Sequence, residues 1–464
     1  MNPELSDESL IELLTRSLNA SGPADAVGRV VSFDAEERVV TVAGENYQLE
    51  KSQGVWVLGS GKASASMACG LEKVMGEEIR DGIVIAPPGV PDIPRRVQVF
   101  EGSHPQPDSN NLASTLELID LAESIPPGDL VFFMISGGTS ALLCKPAGEL
   151  EIDDVGTLHH LLLQSGSNIY EMNSVRTACS SVKGGQLLRH LDQTRLVDLI
   201  ISDVPGDDFR TIGSGPTTPG PIDVDEARRI LKRYNLWDKV PKRIREFIEQ
   251  QAQYDGRRDI APHPGEHRQH LIASASMLAE TVAGELREAG YKVWIDEEAY
   301  DLPIEKLEKK ILGVLDTDNT HDARIDPDAE SSADVEPNPD VEINPDANVS
   351  AGSCYIFYGE SSVDVQGDGK GGRNQEIALR IARHLENRPG VLFASLGTDG
   401  VDGPTDAAGA IVTADTLEKA RSAGVDPEDY LKNNDSWNFF DKVGGHIKTG
   451  PTGNNLMDIQ LLMS

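Results

Sequence analysis

The chain of 464 residues predicts an α/β fold in two domains, the larger built on a parallel sheet covered by helices on both faces. Three observations carry that expectation. Short apolar runs recur through the first half: Val55-Trp56-Val57-Leu58, Ile83-Val84-Ile85-Ala86 and Leu130-Val131-Phe132-Phe133-Met134-Ile135. Strands that are apolar on both faces belong to sheets buried on both sides. Helical patterns alternate with these runs, as a parallel sheet requires for its crossovers. The length also exceeds what a single hydrophobic core normally serves.

In chain order, Ser6 to Leu18 reads as a capped amphipathic helix, with Leu10, Ile11, Leu13, Leu14 and Leu18 on one face. Val30 to Phe33 and Val39 to Val42 alternate around a turn and predict a hairpin. The three buried-strand runs follow, and Leu196 to Ser202 is a fourth. A second α/β set is expected from about residue 270, with Leu271-Ile272-Ala273 and Lys292-Val293-Trp294-Ile295 as strands. Residues 316–350 are dominated by Asp, Asn, Pro, Glu and Ser, and predict a solvated insert that cannot bury enough apolar surface to fold alone. Cys354 to Tyr358, Val363 to Val365, Val391 to Leu396 and Ile459 to Met463 read as the last strands. The expected domains are therefore 1–265 and 266–464.

Asp plus Glu number 76 against 42 Lys plus Arg, for a formal net charge of −34. Acid spread along the whole length argues against nucleic acid or an anionic membrane surface as partner. It also fits a halophilic cytosol, where salt screens the self-repulsion, although an ordinary acidic enzyme would look similar. Four dispersed cysteines without a CxxC pair match neither a disulfide framework nor a zinc site. The acidic start, Met1-Asn2-Pro3-Glu4, has no signal-peptide character, and no apolar stretch approaches membrane-spanning length. A soluble cytoplasmic protein is expected, and a homo-oligomer is compatible with these features.

The cationic exception in this acidic chain is Gly367-Asp368-Gly369-Lys370-Gly371-Gly372-Arg373-Asn374-Gln375-Glu376, a glycine-rich loop running into a helical pattern. Free N–H groups at a helix start and close backbone approach would suit a phosphate; a flexible turn would use the same residues. Gly59-Ser60-Gly61-Lys62 ends a strand and opens a helix, a partial dinucleotide fingerprint with a lysine placed against the helix dipole. Ser136-Gly137-Gly138-Thr139-Ser140 ends the next buried strand and reads as an N–H-lined anion nest or as a tight turn. Both loops fall at the carboxyl edge of one sheet, where open α/β sheets bind ligands. Asp203, at the end of another strand, would bind a cation or a substrate hydroxyl, or act as base. Arg176 would clamp a carboxylate or pair on the surface, with Lys183 as a further cation nearby. Asp399 lies in a glycine- and acid-rich loop from Gly397 to Asp406. The ten histidines form no zinc-ligand pattern.

Taken together, Gly59 to Ala63, Gly102-Ser103-His104-Pro105-Gln106-Pro107-Asp108, Ser136 to Ser140, Ser202 to Asp208, Gly371 to Glu376 and Gly397 to Asp406 resemble the glycerate 2-kinase family with a MOFRL C-terminal domain, here about 352–462. The resemblance spans nearly the whole chain apart from the insert and the extreme N-terminus. It implies a Rossmann-like sheet in the N-terminal domain, a smaller α/β C-terminal domain, and an active site in the cleft between them. It further implies ATP-dependent phosphorylation of D-glycerate to 2-phospho-D-glycerate with Mg²⁺ or another divalent cation. Lys62 and Arg373 match the family's catalytic positions, with Asp203 expected to orient or deprotonate the hydroxyl. Gly61, Ser136, Gly137, Gly138, Thr139, Ser140, Arg176, Asn374, Glu376 and Asp399 make up the expected binding set. Thr139 and Cys179 depart from the family pattern. An NAD(P)H-dependent hydroxypyruvate reductase is the alternative enzyme, and a non-catalytic small-anion sensor the alternative class.

Overall fold

The computed structural model describes residues 6–316 and 352–464. The acidic segment expected at 316–350 therefore lies, apart from Asp316, outside the described residues. The chain divides into two compact units. One is Gly22–Ser274; the other joins Met1–Ser21 to Ala275–Ser464.

The first unit holds a six-stranded sheet: β1 (Val55–Ser60), β2 (Ile79–Ala86), β3 (Gln98–Glu101), β4 (Leu130–Ile135), β5 (Arg195–Ile201) and β6 (His267–Ala273). The spatial order is β3-β2-β1-β4-β5-β6, and every pair is parallel. The chain winds outward from β1 to β3 and then returns to start again at β4, so the order reverses between β1 and β4. All six residues of β4 are buried. At roughly 1.5–3 kcal/mol per large apolar side chain, this strand contributes on the order of 10 kcal/mol of burial. A separate three-stranded antiparallel sheet is formed by Val31–Asp34, Val39–Val42 and Glu45–Gln48, one strand more than the expected hairpin.

The division between units differs from a cut at 265/266 for two physical reasons. Strand β6 pairs along its length with β5, so the chain leaves the first unit only after Ser274. Helix α1 (Asp7–Ala20), capped by the Ser6 hydroxyl accepting from Ser9 N–H at 3.2 Å, belongs to the second unit. It meets helix α5 (Ala275–Glu288), where the Ser17 hydroxyl donates to Glu285 at 2.8 Å and Arg16 pairs with the same carboxylate at 2.9 Å.

The second unit's sheet is mixed: β7 (Lys292–Ile295), β8 (Tyr300–Pro303), β9 (Ser353–Ser362), β10 (Leu392–Gly397), β11 (Gly409–Thr413), β12 (His446–Ile447) and β13 (Asp458–Met463). The order is β7-β9-β13-β10-β11-β12, with β8 also paired to β9. Strand β9 ends at Ser362, opposite Pro303, which has no N–H to continue the ladder. The strand expected at Val363 to Val365 is accordingly absent, and Val365 is exposed. No helix among the described residues is long and apolar enough to cross a membrane.

Candidate active site

The order reversal between β1 and β4 places two loops side by side, because Ser60 and Ile135 pair at the ends of these strands. The loops interlock. Lys62 N–H donates to Gly137 O at 2.9 Å, Ala63 N–H to Ser136 Oγ at 3.1 Å, and Thr139 Oγ1 to Ser60 O at 2.6 Å. Gly61 has φ +130°, and a Cβ there would run into Ser136. Ser64 N–H, at the start of α2 (Ser64–Met75), turns back to Gly61 O at 3.2 Å. The N–H groups of Lys62, Ala63 and Ser64 are thus taken up within the protein, as is the Thr139 hydroxyl. What the Gly59 to Ser64 loop offers a ligand is therefore its side chains rather than a backbone cradle.

Four such side chains converge. Gly138 lies between Lys62 and His104: a Cβ on it would stand 3.3 Å from Lys62 Cγ and 3.2 Å from His104 Cδ2. Gly137 lies against the Asp203 carboxylate, which a Cβ would strike. Arg176, on α4 (Ile169–Ala178), is 8% exposed, and its Nε has no hydrogen-bond partner. Neither its guanidinium nor the Lys62 ammonium forms an ion pair with any described residue. Burial pulls the Arg176 pKa down to about 10. Partial burial, together with the charges of Lys62 and Arg176, pushes that of His104 down to about 4. Behind Arg176, the buried His159 has both ring nitrogens unpartnered and titrates far below its ordinary value, first through burial and then through Arg176 and Lys183.

Lys183 has a structural task that the sequence did not disclose. It is buried and donates to Ser140 O at 2.7 Å and Leu143 O at 2.8 Å, fastening the turn that follows β4. Its pKa is lowered to about 8 by burial. The Ser140 hydroxyl bonds to that of Ser214 at 2.8 Å, and Ser214 to Asn173 Oδ1 at 2.8 Å. His104 sits inside a motif visible in the sequence, but only its position beside Gly138 marks it as a site residue.

In the second unit, helix α6 (Arg373–Leu385) follows the glycine-rich loop, and its start is closed rather than open to an anion. The buried Asp402 carboxylate accepts from Asn374 N–H at 3.0 Å, Gln375 N–H at 2.8 Å and the Gln375 carboxamide at 2.9 Å. The expectation of free N–H groups there is corrected: a carboxylate from the Gly397 to Asp406 loop fills the place. The glycines have a packing reason as well. A Cβ at Gly367, Gly369, Gly371 or Gly372 would strike Asn433, Asp435, Ser436 or Asp402 respectively. The Lys370 ammonium stands 3.6 Å over the Trp437 ring.

Arg373 is held by Asp458, with Nε to Oδ2 at 2.6 Å and Nη2 to Oδ1 at 3.1 Å, and also by Glu360. Burial raises Asp458 to about 7 even though Arg373 pulls it down. Asn374 is fully engaged, donating to Asp458 at 2.9 Å and accepting from Ser395 at 2.6 Å. Asp399 is exposed; its Oδ1 accepts from Val401 N–H and lies, like Asn374 Nδ2, beside Gly397. Glu376 is buried; it pairs with Arg380 at 3.0 Å and accepts from Asn434 at 3.0 Å, which ties the helix to the 433–434 turn. Of the expected residues, then, Gly61, Lys62, Ser136 to Ser140, Arg176 and Asp203 gather at one sheet edge. Arg373, Asn374 and Asp399 gather in the other unit, and Glu376 is committed to packing. Among the described residues no group of three or more His, Cys, Asp or Glu is arranged to hold a metal ion.

A cationic edge at the switch point of a doubly wound parallel sheet defines an α/β protein of the kind that binds ligands at the carboxyl ends of its strands. Residues 9–249 match the family described as a domain of unknown function, DUF4147, and residues 353–458 match the MOFRL family. A glycerate 2-kinase from Pyrococcus horikoshii is 34% identical, over 97% of this chain and 95% of the relative. A D-glycerate 2-kinase from Thermotoga maritima is 31% identical, over 99% and 98%. The solved structure of a glycerate kinase from Thermotoga maritima superposes with a TM-score of 0.79 at 30% identity, covering 98% of this chain and 99% of that one. A relative from Agrobacterium vitis, 34% identical over 88% and 86%, has hydroxypyruvate reductase as a provisional name. The chain belongs to the MOFRL-domain glycerate kinase family and is a kinase.

Proposed function

We propose that this enzyme transfers the γ-phosphoryl group of ATP to the 2-hydroxyl of D-glycerate, with a divalent cation on the nucleotide's phosphates. The observation that carries this reading is the pair of cations, Lys62 and Arg176, without an ion-pair partner among the described residues, around Gly138 and His104 at the switch-point edge of a chain with net charge −34. A buried guanidinium without a counter-charge is costly unless an anion arrives to pair with it. The names borne by the relatives from Pyrococcus and Thermotoga agree with that anion being glycerate.

In this reading Arg176 presents its planar fork to the substrate carboxylate. Lys62 meets the transferring phosphoryl group, where charge stabilisation contributes most of the catalysis. Asp203, seated on Gly137, orients the 2-hydroxyl and takes its proton as the oxygen attacks the γ-phosphorus. The bond from phosphorus to the β,γ-bridging oxygen breaks, and ADP leaves. Arg373 is the second cation assigned to the phosphoryl group. The buried Asp458 fixes its guanidinium plane, while the half-exposed Glu360 is the partner a phosphate would replace. A cation carried by phosphates needs only one or two protein carboxylates, so no preformed cage of three ligands is required.

Two features weigh against a dinucleotide-dependent reductase. The N–H groups that would face a pyrophosphate are taken up by Gly61, Ser136 and Gly137. Strand β2 ends at Ala86 and is followed by Pro87 and Pro88, where such folds place an acidic residue for the ribose.

The test is steady-state kinetics on two variants in a coupled ADP-release assay with D-glycerate. Lys62→Ala is expected to lose roughly 10²–10³ in kcat. Arg176→Met is expected to raise KM for D-glycerate at least tenfold while leaving KM for ATP near wild type. Wild-type kcat/KM in either variant would remove that residue from the mechanism.

A further inference from the structure

Beside the anion edge, and entirely within the first unit, lies a second concavity of about 460 Å³. Helix α4 contributes Tyr170, Asn173 and Ser174 to its lining, and Arg210, Ser214 and Arg257 line it from other elements. The volume falls within the range of pockets that take cofactor-sized ligands and is far larger than a three-carbon acid needs. Tyr170 lines it with 55% of its surface in water, one of few large aromatic or aliphatic side chains so exposed among the described residues. Arg257 is exposed and has no ion pair with any described residue.

The two carboxylates that line the same pocket are already engaged. Asp208 accepts from the Arg210 backbone at 3.1 Å and pairs with the Arg210 side chain at 3.4 Å. Asp223 caps the next helix through Glu226 N–H at 2.7 Å. Arg257 is therefore the cation in this pocket that is left for an incoming anion. The pocket also shares a wall with the anion edge. Ser214 lines it and bonds to Ser140, two residues beyond Gly138, and Asn173, which accepts from Ser214, lies one helical turn before Arg176 on α4.

We propose that this pocket holds the nucleoside triphosphate, with its base on the face of Tyr170, its phosphates near Arg257 and its terminal phosphate directed past Ser214 and Ser140 toward Lys62. The assignment rests on the kinase reading above and adds the donor site to it. An aromatic face accepts any base, so the pocket gives affinity through stacking and charge; discrimination between bases is left to its polar floor.

The experiment is calorimetric titration of the whole chain with the non-hydrolysable analogue AMP-PNP and, separately, with D-glycerate, in wild type, Tyr170→Ala and Arg257→Ala. Both positions are exposed, so both variants should fold. Tyr170→Ala is expected to weaken AMP-PNP about tenfold, as loss of one stacked base predicts, and Arg257→Ala by a similar factor. D-Glycerate affinity should stay within twofold of wild type in both. Photolabelling with 8-azido-ATP followed by peptide mapping should mark the segment that contains Tyr170. Unchanged AMP-PNP affinity in both variants, or labelling confined to another segment while the wild type turns over, would overturn the pocket assignment and leave the kinase standing. Wild-type protein that neither binds AMP-PNP nor turns over would overturn both.

Discussion

Replacing Asp402 by alanine tests whether the start of α6 is a structural cap or an anion site. The carboxylate takes two backbone N–H groups and the Gln375 carboxamide, at 3.0, 2.8 and 2.9 Å, in a fully packed setting. Loss of an N-cap costs about 1 kcal/mol. Each buried donor left without an acceptor adds roughly 1–3 kcal/mol. Removing a buried charge offsets part of this, since burial already pushes the Asp402 carboxyl above its usual range. The expected net loss is about 3 kcal/mol, or roughly a hundredfold in the opening equilibrium of this helix. Hydrogen exchange read by mass spectrometry on peptides spanning 373–385 would show that loss as faster exchange at Asn374 and Gln375. Asp402→Asn, which keeps one acceptor oxygen, should fall between. Exchange rates within twofold of wild type in the alanine variant would refute the capping argument and reopen the helix start to a phosphate.

Three further outcomes follow from the site and the charge. Arg176→Met should keep or raise the thermal midpoint even as it damages activity, because it removes a buried, unpaired guanidinium; a midpoint lower by more than 5 °C would mean that Arg176 has a structural partner. The His104 imidazole should be neutral at pH 6, with its ¹³C-detected titration falling near pH 4. The sign follows from the lowered folded pKa: the unfolded chain binds the proton first, so this group contributes stability that is lost as pH falls from about 6.5 through about 4. A midpoint above pH 6 would contradict the partial burial of His104 beside the charges of Lys62 and Arg176. Raising KCl from 0.1 to 2 M should increase the melting temperature, since a net charge of −34 repels itself and salt screens it; a flat or falling curve would count against self-repulsion as the dominant surface term.

The parts that were legible in the sequence were those governed by local pattern. Strands β1 and β4 read clearly because nearly every position is buried, so the apolar run has no gap. Strand β6 read only in its last residues: His267 to His270 are polar, as an edge strand permits, and the pattern could not show that they pair with β5. Helix α1 was legible, but its place with the second unit depends on Glu285, far along the chain. The same limit applies at the sites. A run such as Gly367 to Gly372 has one composition whether it cradles a phosphate or packs against 433–436, and only the neighbours tell the two apart. For Arg176 the sequence showed neither its burial nor its lack of a carboxylate partner among the described residues, the two facts that remove the surface-pair reading.

Acceptor hydroxyl and phosphoryl donor are read in one experiment by ³¹P NMR of the protein with ATP, Mg²⁺ and D-glycerate, run beside authentic 2- and 3-phosphoglycerate. 2-Phosphoglycerate and ADP should grow in together. A 3-phosphoglycerate signal would contradict the assigned hydroxyl, and folded protein that yields neither product would contradict the kinase reading itself.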